Sequence, residues 1–440
     1  MSEQHHISDT SPQHWKYVAE GGVSVAFSYN GPPHPFYDGK VLKLRKVSKH
    51  SGLFHPHSEF EDFEDLEGLA VAFDSAILQR LVPREYFPRC EAVQMDSEWL
   101  AQLKLLCEAQ RPSERRLRDE IDVRRNKAIL IEDLVGWDGM TVEIKPKWGF
   151  LPSPTHLSQL SCPVKTRTCR FCMHAHMKST QGNDSALGFC PLDLYSGEEL
   201  RVRYALSALW DVWLSTSGAI NNMRVFVKGV FIKPVSNSAV LAFMLGFKDP
   251  ASPDQSPPSM AEIRDRFVSA LVPSLVKTPV LGLISSLQRT LDSLDIEGLA
   301  TLWEHSHAES QPAIPFGTNT TQPTVGEWSE FADEYLRRSA SDFNKEPLPD
   351  ELRYHCLSYL LSATFKDCSL MLRLPLSSFQ DDQAKVQGSI KVIDLDVKSI
   401  SRLDKWRRLD RAIVMTYIKV AEPRRCIDQR GSTPKPRYPK

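Results

Sequence analysis

The segment EIKPK carries the charged residues whose spacing first points to chemistry. Glu143, Lys145 and Lys147 stand two positions apart, and in a β-strand such positions project from the same face. One carboxylate and two ammonium groups would then lie together. That arrangement suits phosphate binding, because lysines supply point charges and a nearby glutamate can orient one of them. On spacing alone, the solvated charged face of an edge strand explains the pattern more simply.

A second candidate lies in KVIDLDVK, where Asp394 and Asp396 end an apolar run. An aspartate at the end of a strand is a common ligand of Mg²⁺, which prefers a few carboxylates together with phosphate oxygens. Lys398, Arg402 and Trp406 follow at four-residue spacing and would line one face of a helix that begins near Lys398. The alternative is an ordinary amphipathic helix with surface charges.

Asp367 lies in ATFKDCSLML, where Lys366 and Asp367 interrupt an otherwise apolar helix-to-strand transition. A charged pair in such a place needs partners to offset its burial. Two interpretations are open: a structural ion pair, or a general base that accepts the proton of an attacking hydroxyl. The residues alone favour the structural pair.

Glu20, Gly21 and Gly22 form a tight turn between two predicted strands. Glycines let backbone N–H groups approach phosphates closely, although Gly-Gly turns are also common in ordinary hairpins. The sequence contains no GxxxxGKS or GxxxxGKT loop and neither an HRD nor a DFG triplet. P-loop enzymes and protein kinases therefore do not fit.

Cysteines and histidines form the pattern C-x2-C-x-H-x-H at Cys169, Cys172, His174 and His176, with Cys162 and Cys190 nearby. A cysteine pair with two residues between is a genuine zinc spacing. The histidines, however, follow too closely for the usual second ligand pair, which is separated by a longer loop. We therefore expect no structural zinc here.

The bulk composition limits the class of protein. The 440 residues carry a net charge of −1, which argues against broad nucleic-acid binding, so a polyanion site must be a local concentration of cations. The longest apolar run is residues 239–247, short of the ~20 residues that span a bilayer, and we see no secretory signal. Nine irregularly spaced cysteines suggest free thiols in a reducing compartment. We expect an intracellular protein without membrane insertion.

The elements that must position these residues change in type along the chain. Apolar alternation and turn residues predict strands at 15–29 (two strands around a turn), 39–47, 127–133 and 140–147. An amphipathic helix is predicted from Phe63 to Leu81. Later segments read as helices at 197–216, 281–302, 351–361 and 401–420, strands at 223–233 and 389–396, and loops at 249–259 and 311–324. Strands first and mixed helix and strand afterwards predict an α+β protein of two lobes.

Taken together, the charged and cysteine-containing strings resemble one known family, the inositol-pentakisphosphate 2-kinases. The resemblance runs in the family's order over nearly the whole chain, and EIKPKWGFLP followed by RFCMHAHMK is its most specific part. The matching segments are AEGG (19–22), GKVLKLRK (39–46), VEIKPKWGFLP (142–152), CRFCMHAHMK (169–178), CPLDLYSG (190–197), NNMRVF (221–226), KDCSLM (366–371) and IDLDVKSISRLDKW (393–406).

The resemblance implies an inositol-phosphate-kinase-like fold with ATP in a cleft between a strand-rich N-lobe and a larger mixed C-lobe. The implied division is a flexible N-terminus at 1–13, an N-lobe at 14–133 ending in a hinge, a C-lobe with the inositide-binding region at 134–426, and a flexible tail at 427–440. The implied substrates are ATP and an inositol polyphosphate, the implied cofactor is Mg²⁺, and the expected state is a monomer. Nucleus and cytoplasm are the expected compartments.

By position in the family's motifs, the resemblance also implies residue roles. On the ATP side these fall to Gly21 and Gly22 over the phosphates, Lys43, Glu132 and Asp133 at the hinge, Glu143, Arg224, Met371 and Asp394. On the inositide side they fall to Arg115, Lys145, Lys147, Lys178, Asn222, Lys398, Arg402 and Trp406. The implied catalytic groups are Asp367 as the base, Lys145 and Lys147, and the implied Mg²⁺ ligands are Asp394 and Asp367.

The chain departs from the family pattern in places. Some members hold zinc through a C-x2-C and two histidines before the KDCS motif, whereas residues 303–317 contain His305 and His307 but no cysteine, so we predict that this site is missing. Trp406 stands where relatives have tyrosine. Two rival hypotheses remain: a non-catalytic inositide-binding scaffold, and a zinc-containing interaction module at 160–190.

Overall fold

The computed structural model describes residues 6–49, 71–183, 185–247, 258–310, 312–339, 342, 345–379 and 388–428. It forms two compact units, the first comprising Met1–Gln79 and Phe87–Trp137 and the second Arg80–Tyr86 and Asp138–Lys440. The start of the helix predicted from Phe63, most of the loop predicted at 249–259 and the tail from 429 lie outside the described residues. Mixed helix and strand with antiparallel sheets confirms the α+β class.

The first unit is built on an antiparallel sheet of six strands in the order β1-β2-β3-β6-β4, with β5 paired to β3. Its strands are β1 (Trp15–Glu20), β2 (Ser24–Tyr29), β3 (Lys40–Ser48), β4 (Cys90–Gln94), β5 (Asp119–Ile121) and β6 (Lys127–Glu132). Alternate residues such as Val25, Phe27 and Leu42 are buried, as period-two patterning requires. The predicted strands at 15–29, 39–47 and 127–133 are confirmed.

Short helices complete the first unit. The first of them, α1 (Gln79–Leu81), follows a π-helical turn at Asp74–Leu78 and is divided between the units, with Gln79 in the first and Arg80 and Leu81 in the second. The helices α2 (Ser97–Cys107) and α3 (Ser113–Arg118) belong to the first unit. Asp96 caps α2 by accepting a 2.8 Å hydrogen bond from the Trp99 N–H, which satisfies a donor that the helix leaves free. Ile7 is fully buried, so the chain before β1 is packed from that residue onwards, although the sequence suggested mobility up to residue 13.

The second unit contains a five-stranded antiparallel sheet in the order β11-β10-β7-β8-β9. Its strands are β7 (Met140–Ile144), β8 (Met223–Val227), β9 (Val230–Ile232), β10 (Ser369–Leu374) and β11 (Ser389–Ile393). The strand predicted at 223–233 is a hairpin, because Lys228 and Gly229 both have positive φ and make a tight turn. The strands predicted at 140–147 and 389–396 each end three residues early, before Lys145 and Asp394.

The second unit also contains helices, which carry many of its buried apolar residues. They are α4 (Cys162–Lys165), α5 (Arg170–Thr180), α6 (Pro191–Leu194), α7 (Glu199–Ser215), α8 (Ser238–Met244), α9 (Met260–Val276), α10 (Val280–Leu291), α11 (Asp295–Ser306), α12 (Val325–Arg337), α13 (Leu352–Lys366) and α14 (Leu403–Tyr417). The helix predicted at 281–302 is two helices, and the one predicted from 401 begins at Leu403 after a 3₁₀ turn, Ile400–Arg402.

A cluster of buried charges ties α4, α11 and α14 together. Lys165 Nζ lies 2.6 Å from Asp295, 2.8 Å from Asp410 and 3.1 Å from Glu297, and Arg170 Nε lies 3.1 Å from Asp410. We call these five residues the buried lysine cluster. The three carboxylates surround an ammonium group, so their geometry is already explained without a metal ion.

None of the described helices is long and apolar enough to cross a membrane alone. One pair, Met260–Val276 with Val280–Ser306, reaches the required length and apolarity only when the two are joined across a 64° bend.

Candidate active site

Three residues predicted to contact a nucleotide lie in one row across the second sheet. Glu143 on β7 pairs directly with Met371 on β10 and with Arg224 on β8, and directly paired residues project from the same face. Glu143 is buried, and its Oε2 lies 3.5 Å from Arg224 Nη1. Strand register, rather than sequence proximity, brings this acid, this cation and this apolar side chain together.

Lys145 extends the row beyond the end of β7. Its Nζ donates to Ser369 Oγ at 2.8 Å and lies 3.3 Å from Asp394 Oδ2 and 3.6 Å from Glu143 Oε1. Ser369 Oγ in turn lies 2.9 Å from Glu143 Oε1 and 3.2 Å from Asp394 Oδ2. Burial disfavours the ammonium ion, but the Asp394 and Glu143 carboxylates outweigh burial and raise the pKa of Lys145, which keeps it charged at neutral pH.

Lys147 follows in a left-handed backbone conformation with φ of 61°, which is uncommon for a residue with a side chain. Its carbonyl oxygen accepts hydrogen bonds from Gln288 Nε2 at 3.0 Å and the Tyr195 hydroxyl at 3.3 Å. Gln288 is fully buried and also bonds the Gly149 N–H at 2.7 Å and the Phe365 carbonyl at 3.0 Å. This glutamine on α10 therefore fixes the strained segment that carries Lys147 and the end of α13 that precedes Asp367.

Asp367 lies between two lysines. Its Oδ1 is 3.3 Å from Lys147 Nζ and its Oδ2 is 3.2 Å from Lys398 Nζ, and its side chain is 58% exposed. We call these three residues the open lysine cluster. Burial alone would raise the pKa of Asp367, but Lys147 and Lys398 outweigh it and lower the pKa, so this carboxylate is ionised at neutral pH.

Lys366 and Asp367 do not pair with each other, so the predicted ion pair within the KD motif is wrong. Lys366 is buried and bonds Asp292 at 2.5 Å, with its ammonium group 4.0 Å from the centre of the Trp148 ring. Because Lys366 pairs with Asp292, the neighbouring Asp367 interacts instead with Lys147 and Lys398.

A cavity of about 280 Å³ opens in the second unit. Its lining includes Lys178, His174 and Asn222, and the backbone carbonyl of Asn222 accepts the Lys145 N–H at 3.0 Å. The buried Asn222 Nδ2 has no hydrogen-bond partner among the described residues. Burial first, and then the charges of Arg170, Lys178 and Lys147, lower the pKa of His174 to about 4. The cavity thus combines one lysine, Lys178, with an amide donor that has no partner among the described residues.

The helical face predicted for Lys398, Arg402 and Trp406 does not form, because α14 begins only at Leu403. Lys398 lies in the loop after β11 and bonds Asp367 at 3.2 Å. Arg402 is exposed, and the Trp406 ring packs 5.9 Å from that of Tyr359. Of the three, the described contacts connect only Lys398 to the open lysine cluster.

In the first unit, the predicted residues lie in the β1–β2 turn, on the interior strand β3 and at the end of the interior strand β6. Gly21 and Gly22 lie in the β1–β2 turn, where a side chain on Gly22 would meet nothing within 4 Å, and Arg115 Nη1 donates to the Gly21 carbonyl at 3.2 Å. Lys43 lies on β3, opposite Ala26. The backbone around the two glycines is thus open on one side.

The two residues predicted for a hinge lie at the end of β6. Glu132 is the last residue of β6. Asp133 accepts hydrogen bonds from Ser28 Oγ at 2.5 Å and from the N–H groups of Val135 and Gly136 at 2.9 and 2.7 Å. The Asp133 side chain therefore builds the turn itself, and its carboxylate is occupied by these donors.

Sequence reasoning missed three residues of the site. Ser369 connects Lys145, Glu143 and Asp394, and its place in KDCSLM, two residues after Asp367, was a usable hint. His174 was weighed only as a metal ligand. The sequence gives no signal for Gln288, because a buried glutamine in a helix cannot be distinguished by sequence pattern from an exposed one.

A carboxylate held ionised between two lysines, in a unit that also has a cavity bordered by Lys178, suits a class of protein that binds phosphorylated compounds. The family is shown by sequence. The model of the family described as inositol-pentakisphosphate 2-kinase matches residues 17–412, and the chain belongs to this family.

Relatives from three kingdoms carry the same name. The inositol-pentakisphosphate 2-kinase of Cryptococcus neoformans var. neoformans serotype D is 31% identical, over 92% of this chain and 94% of its own. The rice enzyme (Oryza sativa subsp. indica) is 28% identical over 93% and 94%. The zebrafish enzyme (Danio rerio) is 23% identical over 92% and 93%. The predicted family is thereby confirmed along nearly the full chain.

Proposed function

We propose that this protein transfers the γ-phosphate of ATP to the 2-hydroxyl of inositol 1,3,4,5,6-pentakisphosphate, giving inositol hexakisphosphate and ADP. The observation that carries the proposal is the position of Asp367 between Lys147 and Lys398 in a member of this family. A base and two cations at one point are what an attacking hydroxyl and a transferring phosphate require.

On the nucleotide side, Glu143, Arg224 and Met371 share one face of the second sheet. Met371 packs against the adenine, and Arg224 contacts a phosphate. The first unit contributes the open glycine turn over the phosphates, together with Lys43 and the hinge residues Glu132 and Asp133. The two-lobed arrangement that the resemblance implies, with ATP between the lobes, is part of this proposal.

Asp394 suits the magnesium role better than Asp367 does. Only one of its oxygens, Oδ2, lies against Lys145 and Ser369, and its side chain is 42% exposed, so the carboxylate has room for an ion. Both oxygens of Asp367 already face a lysine. When bound there, Mg²⁺ offsets the negative charge on the transferring phosphate.

On the inositide side, the cavity near Lys178 and Asn222 accepts the phosphates of the substrate. Lys145, Lys147 and Lys398 add cations toward the reacting hydroxyl, and a pentakisphosphate supplies the matching charge. Discrimination follows from the same groups, because a substrate lacking one phosphate leaves a cation without its partner. We assign outer contacts to Arg115, Arg402 and Trp406.

In the reaction, the 2-hydroxyl oxygen bonds to the γ-phosphorus while the bond from that phosphorus to the β–γ bridging oxygen breaks. Asp367 accepts the hydroxyl proton, and ADP leaves with the bridging oxygen. Lys147 offsets the charge that develops on the transferring group, and Lys145 orients the acidic residues around it.

The test is to incubate the purified protein with Mg²⁺-ATP and inositol 1,3,4,5,6-pentakisphosphate and to resolve the products by anion-exchange chromatography. Appearance of inositol hexakisphosphate with wild-type protein, and its loss with Asp367→Asn, is the expected result. Tight inositide binding by calorimetry without any product would contradict the proposal and favour a non-catalytic inositide-binding scaffold.

A further inference from the structure

Four cysteines meet at a single point in the second unit. Cys169, Cys172, Cys190 and Cys426 are all buried, and their sulfur atoms all lie within 4.8 Å of one another. Cys169 Sγ and Cys190 Sγ are 3.9 Å apart. All four carry free thiols. We call them the cysteine tetrad.

Three separate segments deliver these side chains. Cys169 is the N-cap of α5 and receives the Cys172 N–H at 3.5 Å on its sulfur. Cys190 is the N-cap of α6. Cys426 comes from the segment after α14, where its N–H donates to the Arg167 carbonyl at 2.8 Å. A C-x2-C pair at a helix start with two distant cysteines is a common layout for a four-cysteine metal site.

The spacing of the sulfurs suits a tetrahedral metal ion better than a disulfide. A disulfide needs sulfurs about 2.05 Å apart. Zinc–sulfur bonds of about 2.3 Å in a tetrahedron place the sulfurs about 3.8 Å apart, close to the separation of Cys169 and Cys190. Four buried thiols could also pack as small apolar side chains, but that role does not require all four sulfurs to converge.

We propose that the cysteine tetrad binds one structural zinc ion as a tetrathiolate. Zn²⁺ binds as the four thiols release their protons, so four zinc–sulfur bonds form and the centre carries two negative charges. No electron is transferred. The guanidinium of Arg424 interacts electrostatically with Cys172, Cys190 and Cys426 and supplies a nearby positive charge.

The surroundings already fix the segment that brings Cys426. Thr168 Oγ1 donates to the Arg424 carbonyl at 2.5 Å, and Arg201 Nη2 donates to the Ile427 carbonyl at 2.7 Å. Arg289 forms an ion pair with Asp428 at 2.7 Å. The metal would fasten this segment to α5, the helix that presents His174 and Lys178 to the cavity. The zinc proposal stands independently of the proposed reaction.

Neither histidine of the C-x2-C-x-H-x-H pattern belongs to the tetrad: His174 lines the cavity and His176 packs edge-on against Tyr417. The close spacing of these histidines to the cysteine pair was the reason that no zinc was expected. Distant cysteines take the positions that the histidines could not fill.

The test is metal analysis of the full-length, tag-free protein, purified without added metal, by inductively coupled plasma mass spectrometry. We expect about one zinc per chain in the wild type, and in Cys356→Ser, which alters a buried cysteine outside the tetrad. Cys426→Ser and Cys172→Ser should lose at least tenfold in zinc affinity against a chelating dye. Metal-free wild-type protein, or iron in place of zinc, would overturn the proposal.

A second measurement covers the case in which the variants fail to fold. Titrating wild-type protein with a mercurial thiol reagent should release the zinc as four thiols react. Cobalt substituted for the metal should give the strong absorption of tetrahedral thiolate coordination. Absence of both, in folded wild-type protein, would equally rule the site out.

Discussion

Two clusters in the second unit are built from the same residue types, lysines and carboxylates, but differ in burial and in charge balance. In the buried lysine cluster, one ammonium group, Lys165, faces three carboxylates, and its side chain is 2% exposed. In the open lysine cluster, one carboxylate, Asp367, faces two ammonium groups and is 58% exposed. In the buried lysine cluster, the protein itself supplies the opposite charges for every charged group. The open lysine cluster has one more positive than negative charge, and it lies at the surface.

Proton affinities follow this difference. Burial raises the pKa of Asp295 to about 7, more than Lys165 lowers it. The lysines lower the pKa of Asp367 although burial opposes them. The buried lysine cluster is therefore a structural element, in which removing the charges from water costs free energy. The open lysine cluster is a site arranged to bind an incoming anion.

The largest expected effect is on turnover. Asp367→Asn removes the proposed base and should lower kcat by about 10²- to 10⁴-fold, with the melting temperature and inositide affinity nearly unchanged. Steady-state kinetics and calorimetry measure this, with Asp265→Asn, an exposed aspartate, as the control. A kcat within threefold of wild type would show that Asp367 is not the base.

The next largest effect is expected in the buried lysine cluster. Asp410→Asn leaves Lys165 and Arg170 short of one buried negative charge and should cost about 3 to 5 kcal/mol of unfolding free energy. Urea denaturation followed by tryptophan fluorescence measures it. The folded fraction should keep the wild-type kcat. A variant as stable as wild type but catalytically impaired would reverse the assignment of roles to the two clusters.

Gln288→Leu tests how the open lysine cluster is supported. It removes the Gln288 partner of the Gly149 N–H and of the Phe365 carbonyl, at about 1 to 3 kcal/mol for each buried group, and it leaves the Lys147 carbonyl with the Tyr195 hydroxyl alone. The left-handed segment is then held less firmly. Both stability and kcat should fall, while the KM for ATP changes little. Gln110→Leu, at an exposed helix position, is the control and should change neither. Normal kcat in a destabilised Gln288→Leu protein would limit the residue to stability.

The pH dependence tests the charge balance itself. Because the folded-state pKa of Asp367 lies below the ordinary value of 3.8, the carboxylate of the free enzyme stays ionised as pH falls. The acidic limb of kcat/KM, which reports groups of the free enzyme, should therefore lie below that value. Lys398→Met removes one of the cations, so the limb should move to higher pH. Kinetics across pH 3 to 7 at inositide concentrations well below KM measures this. A limb that stays in place would mean that Lys398 does not act on the base.

The smallest effect is expected at the rim. Arg402 is exposed and makes only an outer contact in the proposal, so Arg402→Gln should raise the inositide KM about two- to fivefold at low salt. Added salt should remove the difference, because it screens exposed charges. Arg408→Gln, also exposed, should match wild type throughout. Equal KM values at low salt would remove Arg402 from the substrate side.

Local patterns predicted β1, β2, β3 and β6 of the first unit and the α+β class, because apolar and polar residues alternate or turn residues stand between them. They did not predict β4 or β5. Local patterns could not place strand ends. β7 ends before Lys145, and Pro146 and the left-handed Lys147 follow. Glu143 and Lys145 contact each other at 3.6 Å and are also joined through Ser369. The predicted helical face of Lys398, Arg402 and Trp406 is wrong, because a 3₁₀ turn at Ile400–Arg402 precedes α14, which begins only at Leu403.

The family's motifs suggested the role of each site residue. The register of the second sheet determines which of these residues lie together. Glu143, Arg224 and Met371 are far apart in sequence and adjacent only because β10, β7 and β8 are neighbours. Cys426 joins Cys169 by the same kind of long-range contact, which no spacing rule contains. The assigned roles, the lobe boundaries and the cellular compartment stay predictions.

The order of strands in the second sheet also governs when the protein can become active during its synthesis. β7 leaves the ribosome early, but its neighbour β10 and the Asp394 loop are translated more than half a chain later. Until then Lys145 lacks both Ser369 and Asp394. A nascent chain released early would carry uncompensated charge and an unpaired strand edge, which are features that chaperones and proteases act on.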